Sequence, residues 1–323
     1  MQAAAHRAPC VHHTLSDFRV GHGDALDDLL TKVLAVLMRE GLLHLRRVAQ
    51  DGMRIRASAG AASFRRERSL KKCLKEAREQ VRATKRLVAS EAGGVAIRER
   101  AARIRAAKER EARLEKALLH LEQVREGKTS RTDQKAARAS STDPESRVRK
   151  MADGGFRPAY NVQSSTDTQS RVIVGVSVIN KGSDLGQLAP MLDQIERRTG
   201  KLPREHLVDG GYIKLTDIEN AAERNVAVLA PPQEGRATAR NRTKPLPSDG
   251  PGVAKWRRRM GTERAAEIYK ERAATAETVN ADLRTWRGLG RIHVRGADKV
   301  LCLALWSAIT YDILRCFSLG VLA

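Results

Sequence analysis

The sequence predicts an α/β fold, a mixed sheet flanked by helices, with a long α-helical insertion after the first core strand. Two observations carry this. From Arg157 onward, short β-branched runs alternate with stretches of helical periodicity. From 61 to 150 the chain has no Pro before Pro144 and few β-branched residues, and its leucines fall at Leu70, Leu74, Leu114, Leu118 and Leu121, as long helices require.

In chain order, Leu26, Leu29, Leu30, Val33, Val36 and Leu37 recur at three- and four-residue spacing over 24–40, an amphipathic helix that Gly41 ends. The Val-rich, Arg-interleaved segment after His44 reads as a strand running into Asp51 and Gly52. Residues 61–150 read as two helices broken at Gly93-Gly94, a helical hairpin. PAYNVQSST and RVIVGVSVI read as strands joined by a turn at 167–170. A helix over 184–197, a short strand ending at Asp209, a helix over 214–225 and a strand closed by Pro231-Pro232 follow. The polar, Arg-rich stretch 233–259 reads as a loop, and helices are expected over 262–286 and 297–317. Without the insertion, this is the succession of a ribonuclease H-like core: antiparallel strands first, then parallel ones packed with helices. The expected organisation is an N-terminal helical region (1–43), the first core strand (44–60), the helical insertion (61–155) and the rest of the catalytic domain (156–323).

Charge narrows the class of partner. The chain carries 60 Lys+Arg against 38 Asp+Glu, a formal +22, and 43 of the basic residues are Arg. An excess of this size suits a polyanion, and guanidinium forks suit phosphate. Aromatic residues make up only 3%, too few for a stacking surface, which favours duplex over single strands. Residues 61–150 hold 26 Lys+Arg against 13 Asp+Glu; they read either as a solvated coiled-coil face or as an arm contacting phosphates. The cysteines (Cys10, Cys73, Cys302, Cys316) form no CxxC pair, which argues against a zinc ribbon and a disulfide scaffold and suits a reducing cytosol. The N-terminus lacks an apolar signal region, and the apolar run from Val300 to Leu314 is shorter than a bilayer span and contains Asp312. A cytoplasmic protein outside the membrane is expected.

Asp51 and Asp209 would end neighbouring strands, and Glu277 on the late helix could complete a trio. Three carboxylates without His or Cys form a hard-oxygen site suited to Mg²⁺ or Mn²⁺, and two such ions would serve in-line displacement at phosphorus. Each acid also has a plain reading. Asp51-Gly52 is a common turn dipeptide, Asp209 precedes Gly210-Gly211, and Glu277 shares its helix with Glu263, Glu267 and Glu271. Asp167 and Asp184 read as turn and cap residues; Trp256 and Trp286 either stack on DNA or fill the core, with core the favoured reading.

Four blocks then occur in order: VAQDGMRIRASAG, MADGGFRPAYNVQ, VDGGY and IYKERAATAETVNADLRTWRGLGRIHVRG. In these blocks the chain resembles a DDE transposase of bacterial insertion sequences, in the subgroup marked by a Tyr-Arg-Glu-Lys signature. The resemblance implies catalytic, metal-binding Asp51, Asp209 and Glu277, a pair of Mg²⁺ or Mn²⁺ ions, and cutting and joining of double-stranded DNA at element ends. It further implies that Tyr269, Arg272 and Arg284 hold DNA phosphates, and that a homodimer forms when two ends are brought together. Glu277 and Arg284, seven apart, share a helix face. Two departures stand out. Four residues rather than three separate Arg272 from Glu277, which calls for a local bulge, and Arg284 replaces the signature Lys. Relatives also carry a longer helical region before TLSDFRV, so the resemblance implies a truncated copy. A non-catalytic, basic DNA-binding remnant is the alternative expectation.

Overall fold

The computed structural model describes residues 12–90, 97–181, 183–232 and 242–320. The chain forms two units; it passes from the first to the second after Ile55, returns at Asn161, and revisits the second unit over Ile292–Ala297.

The first unit begins with α1 (His12–Gly21) and α2 (Gly23–Arg39), followed by β1 (Arg47–Arg56). The second holds β2 (Phe64–Arg65), α3 (Glu67–Ser90), α4 (Ile97–Glu126), α5 (Arg131–Ala136), β3 (Ala139–Ser140) and β4 (Arg147–Lys150). The chain returns along β5 (Phe156–Asp167) and continues through β6 (Ile173–Ile179), α6 (Leu188–Thr199), β7 (Glu205–Leu207), α7 (Leu215–Glu223) and β8 (Ala227–Leu229). It ends with α8 (Pro251–Met260), α9 (Glu263–Thr285) and α10 (Ala297–Ser318).

In the first unit the sheet order is β6-β5-β1-β7-β8. β5 and β6 are antiparallel, whereas β7 pairs in parallel with both β1 and β8. β1 and β5 also run antiparallel, since Thr168 N–H reaches the Arg47 carbonyl and Ala57 N–H reaches that of Pro158. The mixed α/β architecture expected from the sequence is therefore present. One core cluster joins Leu188 and Leu192 of α6 with Val208, Tyr212, Ile218, Val228 and Trp256. On a second core, Ala265 and Ala276 of α9 pack against Ala49, Leu207 and Leu229, one residue from each of three adjacent strands. Alanine at both helix positions lets α9 approach the strands closely.

α2 buries Leu26, Leu30, Leu34 and Leu37 as its periodicity requires, and Gly41, at φ 71°, follows its end. Its Asp27 pairs with Arg197 at 2.9 Å and with the buried side chain of Arg198 on α6. α10 is 22 residues long, longer than its apolar run suggests, and by length and composition alone could cross a membrane. Much of it is core: Val300, Leu305, Ala308 and Ile309 are buried, and so is Asp312, whose carboxylate accepts from Ile173 N–H at 2.8 Å.

Two expectations are corrected. The stretch 233–259 is not all loop, because α8 occupies its end; residues 233–241 lie outside the described residues. Three consecutive arginines mask a helix that has Pro at its first turn. The Glu219 carboxylate accepts from Gly252 and Val253 N–H at 2.8 and 3.0 Å, and Trp256 is buried with its indole N–H on the Ala230 carbonyl. Trp286, for which core is the favoured of two readings, is 76% exposed at the C-cap of α9.

In the second unit, α3 and α4 pack antiparallel through Leu70, Leu74, Ala77, Leu114, Ala117 and Leu121. Arg78 pairs with Glu111 and Glu115, and Arg125 with Glu67. The expected break at Gly93-Gly94 lies outside the described residues. The short pairs β2-β3 and β4-β5 have no counterpart among the sequence expectations; strands of two to four residues carry too little alternation to read.

Candidate active site between the parallel strands and helix α9

Asp51 does not sit in a turn. It lies within β1, and the register of β1 on β7 explains its position. Ala49 stands opposite Leu207, the last residue of β7; two residues further along, Asp51 is still in β1 while Asp209 lies just past the end of β7, near enough for its charge to act on Asp51. Asp209 is extended (φ −76°, ψ 171°) and starts a single 3₁₀ turn over Gly210–Tyr212, its carboxylate accepting from Gly211 N–H at 2.7 Å.

α9 covers this pair. Asn280 donates to Asp51 Oδ2 at 3.1 Å and accepts from the Ser164 hydroxyl at 3.2 Å. The Arg272 guanidinium lies 3.6 Å from Asp51 Oδ1 and 5.8 Å from the centre of the Tyr269 ring. Arg272 Nε and Nη1 are shielded from solvent with no hydrogen-bond partner, a disposition that suits an anionic oxygen. Burial raises the Asp51 carboxyl above the ordinary carboxylate range; Arg272 and Gly52 N–H oppose this, while Asp209 and Asp184 add to it. Burial likewise raises the Tyr269 phenol, with Arg272 opposing.

Glu277 and Arg284 are exposed. α9 is an uninterrupted α-helix from Glu263 to Thr285, so the bulge expected between Arg272 and Glu277 is absent. At about 100° per residue, five residues carry Glu277 roughly 140° around the axis from Arg272. The structure thus gathers Asp51, Asp209, Tyr269 and Arg272, and sets Glu277 with Arg284 on a different face of the same helix. Among the described residues, no group of three or more His, Cys, Asp or Glu side chains is arranged to hold a metal ion.

A buried polar network lies behind β1. Gln163 Nε2 and Asn161 Nδ2 donate to Asp184 Oδ1 at 2.7 and 2.6 Å. Gln163 Oε1 accepts from the Tyr212 hydroxyl and, at 3.3 Å, from Gln50 Nε2. Gln50 Oε1 lies 3.0 Å from His206 Nε2, so the ring carries its proton there. Full burial pushes the His206 pKa down to about 3, which keeps the ring neutral. Gly52 makes room: a Cβ there would lie 2.5 Å from Gln163 Nε2, 2.7 Å from Asn161 Oδ1 and 2.8 Å from Asp184 Oδ1. Asp184, read as a helix cap, is instead the acceptor that ties β5 to the segment before α6, whose N-cap is Gln187. Asp167 does hold a turn, accepting from the backbone N–H and hydroxyl of Ser170 at 2.8 Å each. The signal for the network is present in the sequence as polar residues at every second position, Asn161 and Gln163, along the buried strand.

No curated protein and no solved structure matches the chain. A family model described as "Transposase DDE domain" matches residues 123–313, more than half of the chain. The match takes in Asp209, Tyr269, Arg272, Glu277 and Arg284 and begins after Asp51. The mixed sheet, helix α9 packed on it and this match over more than half of the chain together make the chain a member of the transposase DDE domain family.

Proposed function

We propose that this transposase cuts and joins DNA at the ends of an insertion sequence by metal-dependent phosphoryl transfer, with Asp51, Asp209 and Glu277 as its catalytic carboxylates. The observation that carries the proposal is that Asp51 on β1 and Asp209, just past the end of the adjoining parallel strand β7, lie near enough for the charge of Asp209 to act on Asp51. The order β6-β5-β1-β7-β8, antiparallel through β1 and parallel beyond it, supports a ribonuclease H-like core. Membership of the Tyr-Arg-Glu-Lys subgroup belongs to the same proposal.

The donor set fits a hard divalent cation. Asp51 and Asp209 offer oxygen only, and the half-buried Asp51 carries a like-charge burden from Asp209 and Asp184 that a cation would relieve. These two acids, with Glu277, would hold Mg²⁺ or Mn²⁺, which when bound supplies positive charge to the attacking and leaving oxygens of the phosphodiester. Arg272, with guanidinium nitrogens that lack hydrogen-bond partners, holds a phosphate oxygen, and the Tyr269 ring orients that guanidinium. Arg284 meets the DNA backbone further along α9. Joining two element ends calls for two copies of the chain.

A non-catalytic DNA-binding remnant is a second reading, favoured by the exposed position of Glu277 away from Arg272. Strand cleavage separates the two. The parent protein and its Asp51→Ala, Asp209→Ala and Glu277→Ala variants are incubated with Mg²⁺ and a labelled duplex carrying the element ends. Cleavage by the parent alone, with duplex affinity retained in every variant, supports the catalytic reading. A parent that binds the duplex and leaves it intact under Mg²⁺ and Mn²⁺ sinks it.

A further inference from the structure

The second unit contains a strongly basic helix face. α3 carries eight Lys and Arg against three Glu. At about 100° per residue, all eight cations fall within a sector roughly 140° wide, centred about 120° around the helix from the buried Leu70, Leu74, Ala77 and Val81. Two of the eight are neutralised, Lys71 by Glu67 and Arg78 by Glu111 and Glu115. The other six, Arg68, Lys72, Lys75, Arg82, Lys85 and Arg86, make no ion pair among the described residues. Glu79 is the acid that stands among them, so the face stays strongly positive. From Arg68 to Arg86 this strip is about 27 Å long, close to eight base pairs of duplex.

α4 differs. Its nine cations share the helix with six Glu and are scattered around its circumference. A helix face kept in solution by charge alternates signs, with acids four residues before bases. α4 does this, as Glu99 and Arg103 show. The outer face of α3 does so once, at Glu67 and Lys71; elsewhere it concentrates positive charge at a self-repulsion cost that a polyanion relieves.

We propose that the outward face of α3 is a phosphate-contacting strip that lies along duplex DNA, whereas α4 serves mainly to support it. The proposal rests on the reading that DNA is the substrate, and it names the surface that grips the duplex outside the candidate active site.

Salt dependence tests it. Binding of a labelled duplex of about 30 base pairs is followed by fluorescence anisotropy in EDTA across a series of NaCl concentrations, so that cleavage plays no part. The strip variant carries Arg68→Gln, Lys72→Gln, Lys75→Gln, Arg82→Gln and Arg86→Gln; an α4 variant carries Arg98→Gln, Arg105→Gln and Lys108→Gln. Each phosphate contact contributes about 0.9 to the slope of log K against log salt. The strip variant is therefore expected to lower that slope by about 3 to 4.5, and the α4 variant by less than about 1. A third variant, exchanging Arg for Lys and Lys for Arg at the same five positions, keeps the slope and shows that the helix surface tolerates change. Equal loss per charge removed from α3 and α4 overturns the proposal, as does a strip variant that weakens RNA binding and spares the duplex. Failure of metal-dependent cleavage leaves the inference standing, because binding is read without metal. An unchanged slope removes the strip and leaves the roles of Asp51 and Asp209 untouched.

Discussion

Gly52→Ala isolates the packing on which the candidate site depends. Glycine inside a strand ordinarily weakens it, and alanine at such a position gains about 0.5–1 kcal/mol. Here the added methyl would stand 2.5 Å from Gln163 Nε2, 2.7 Å from Asn161 Oδ1 and 2.8 Å from Asp184 Oδ1. None of these groups is at liberty to move. Gln163 is fully buried and engaged with Gln50, Tyr212 and Asp184, and Asn161 is 3% exposed and bound to Asp184. Making room means shifting β1 or breaking at least one bond of the network. Overpacking costs about 1–3 kcal/mol, and a buried donor left without its acceptor about 1–3 kcal/mol more. The expected net loss is about 2–4 kcal/mol, which lowers the unfolding midpoint by roughly 4–16 °C for a unit of this size. Differential scanning fluorimetry against the parent measures it. A Gly52→Ala protein as stable as the parent, or more stable, would refute the argument, because the sign itself distinguishes an ordinary strand glycine from one whose missing side chain makes space for three others.

Two further changes probe the acids. Asp184→Ala removes the shared acceptor of Asn161 and Gln163 and should cost about 2–4 kcal/mol in urea unfolding. Asp184→Asn should recover much of that, since its amide oxygen still accepts; equal losses for the two would mean that the carboxylate holds no such role. For Asp51, burial raises the folded-state pKa above its ordinary value. Between the unfolded and folded values the native protein holds a proton that the unfolded chain has lost, so stability falls as pH rises through that window. Asp51→Asn should therefore raise the melting temperature of metal-free protein at neutral pH and flatten its pH dependence above the ordinary carboxylate range, while abolishing metal-dependent cleavage. A lower melting temperature for Asp51→Asn at neutral pH would contradict this.

Periodicity exposes the larger elements. α2, α3, α4 and α9 are visible in the sequence because each buries one stripe over four or more turns, which repeats the pattern enough times to read. α8 is hidden because it is ten residues long and ends near three arginines, while its buried side is little more than Val253 and Trp256. Asp51 is legible as an acid on a strand, but it lies in the middle of β1 rather than at its end, and Asp51-Gly52 suits a turn equally well. Only the partner strand decides, since the requirement for glycine comes from Asn161 and Gln163, more than a hundred residues away. Asp184 misleads for the same reason: local sequence suggests a cap, while the donors that claim its carboxylate lie on β5. Side chains that bond locally leave a signature in a short window; those whose partners are distant leave none.

α9 brings the two halves of the candidate site to one place, and its composition shows how. Its fully buried residues where it crosses β1, β7 and β8 are Ala265 and Ala276, with Ile268 and Tyr269 partly buried beside them. That closeness lets Arg272 and Asn280, eight residues apart and roughly 80° around the helix from each other, reach the two oxygens of Asp51 from either side of Ala276. The same rigid geometry fixes the rest. With no bulge in the helix, Glu277 stands next to Ala276 yet turned toward Arg284, so both project from the side of α9 that meets solvent. With Glu277 and Arg284 held there by the helix backbone, side-chain rotation or a shift of α9 is what would bring the Glu277 carboxylate to Asp51 and Asp209. The helix is thus built to approach the strands closely, and the face it presents there is what distinguishes a completed trio from a pair with an arginine between them.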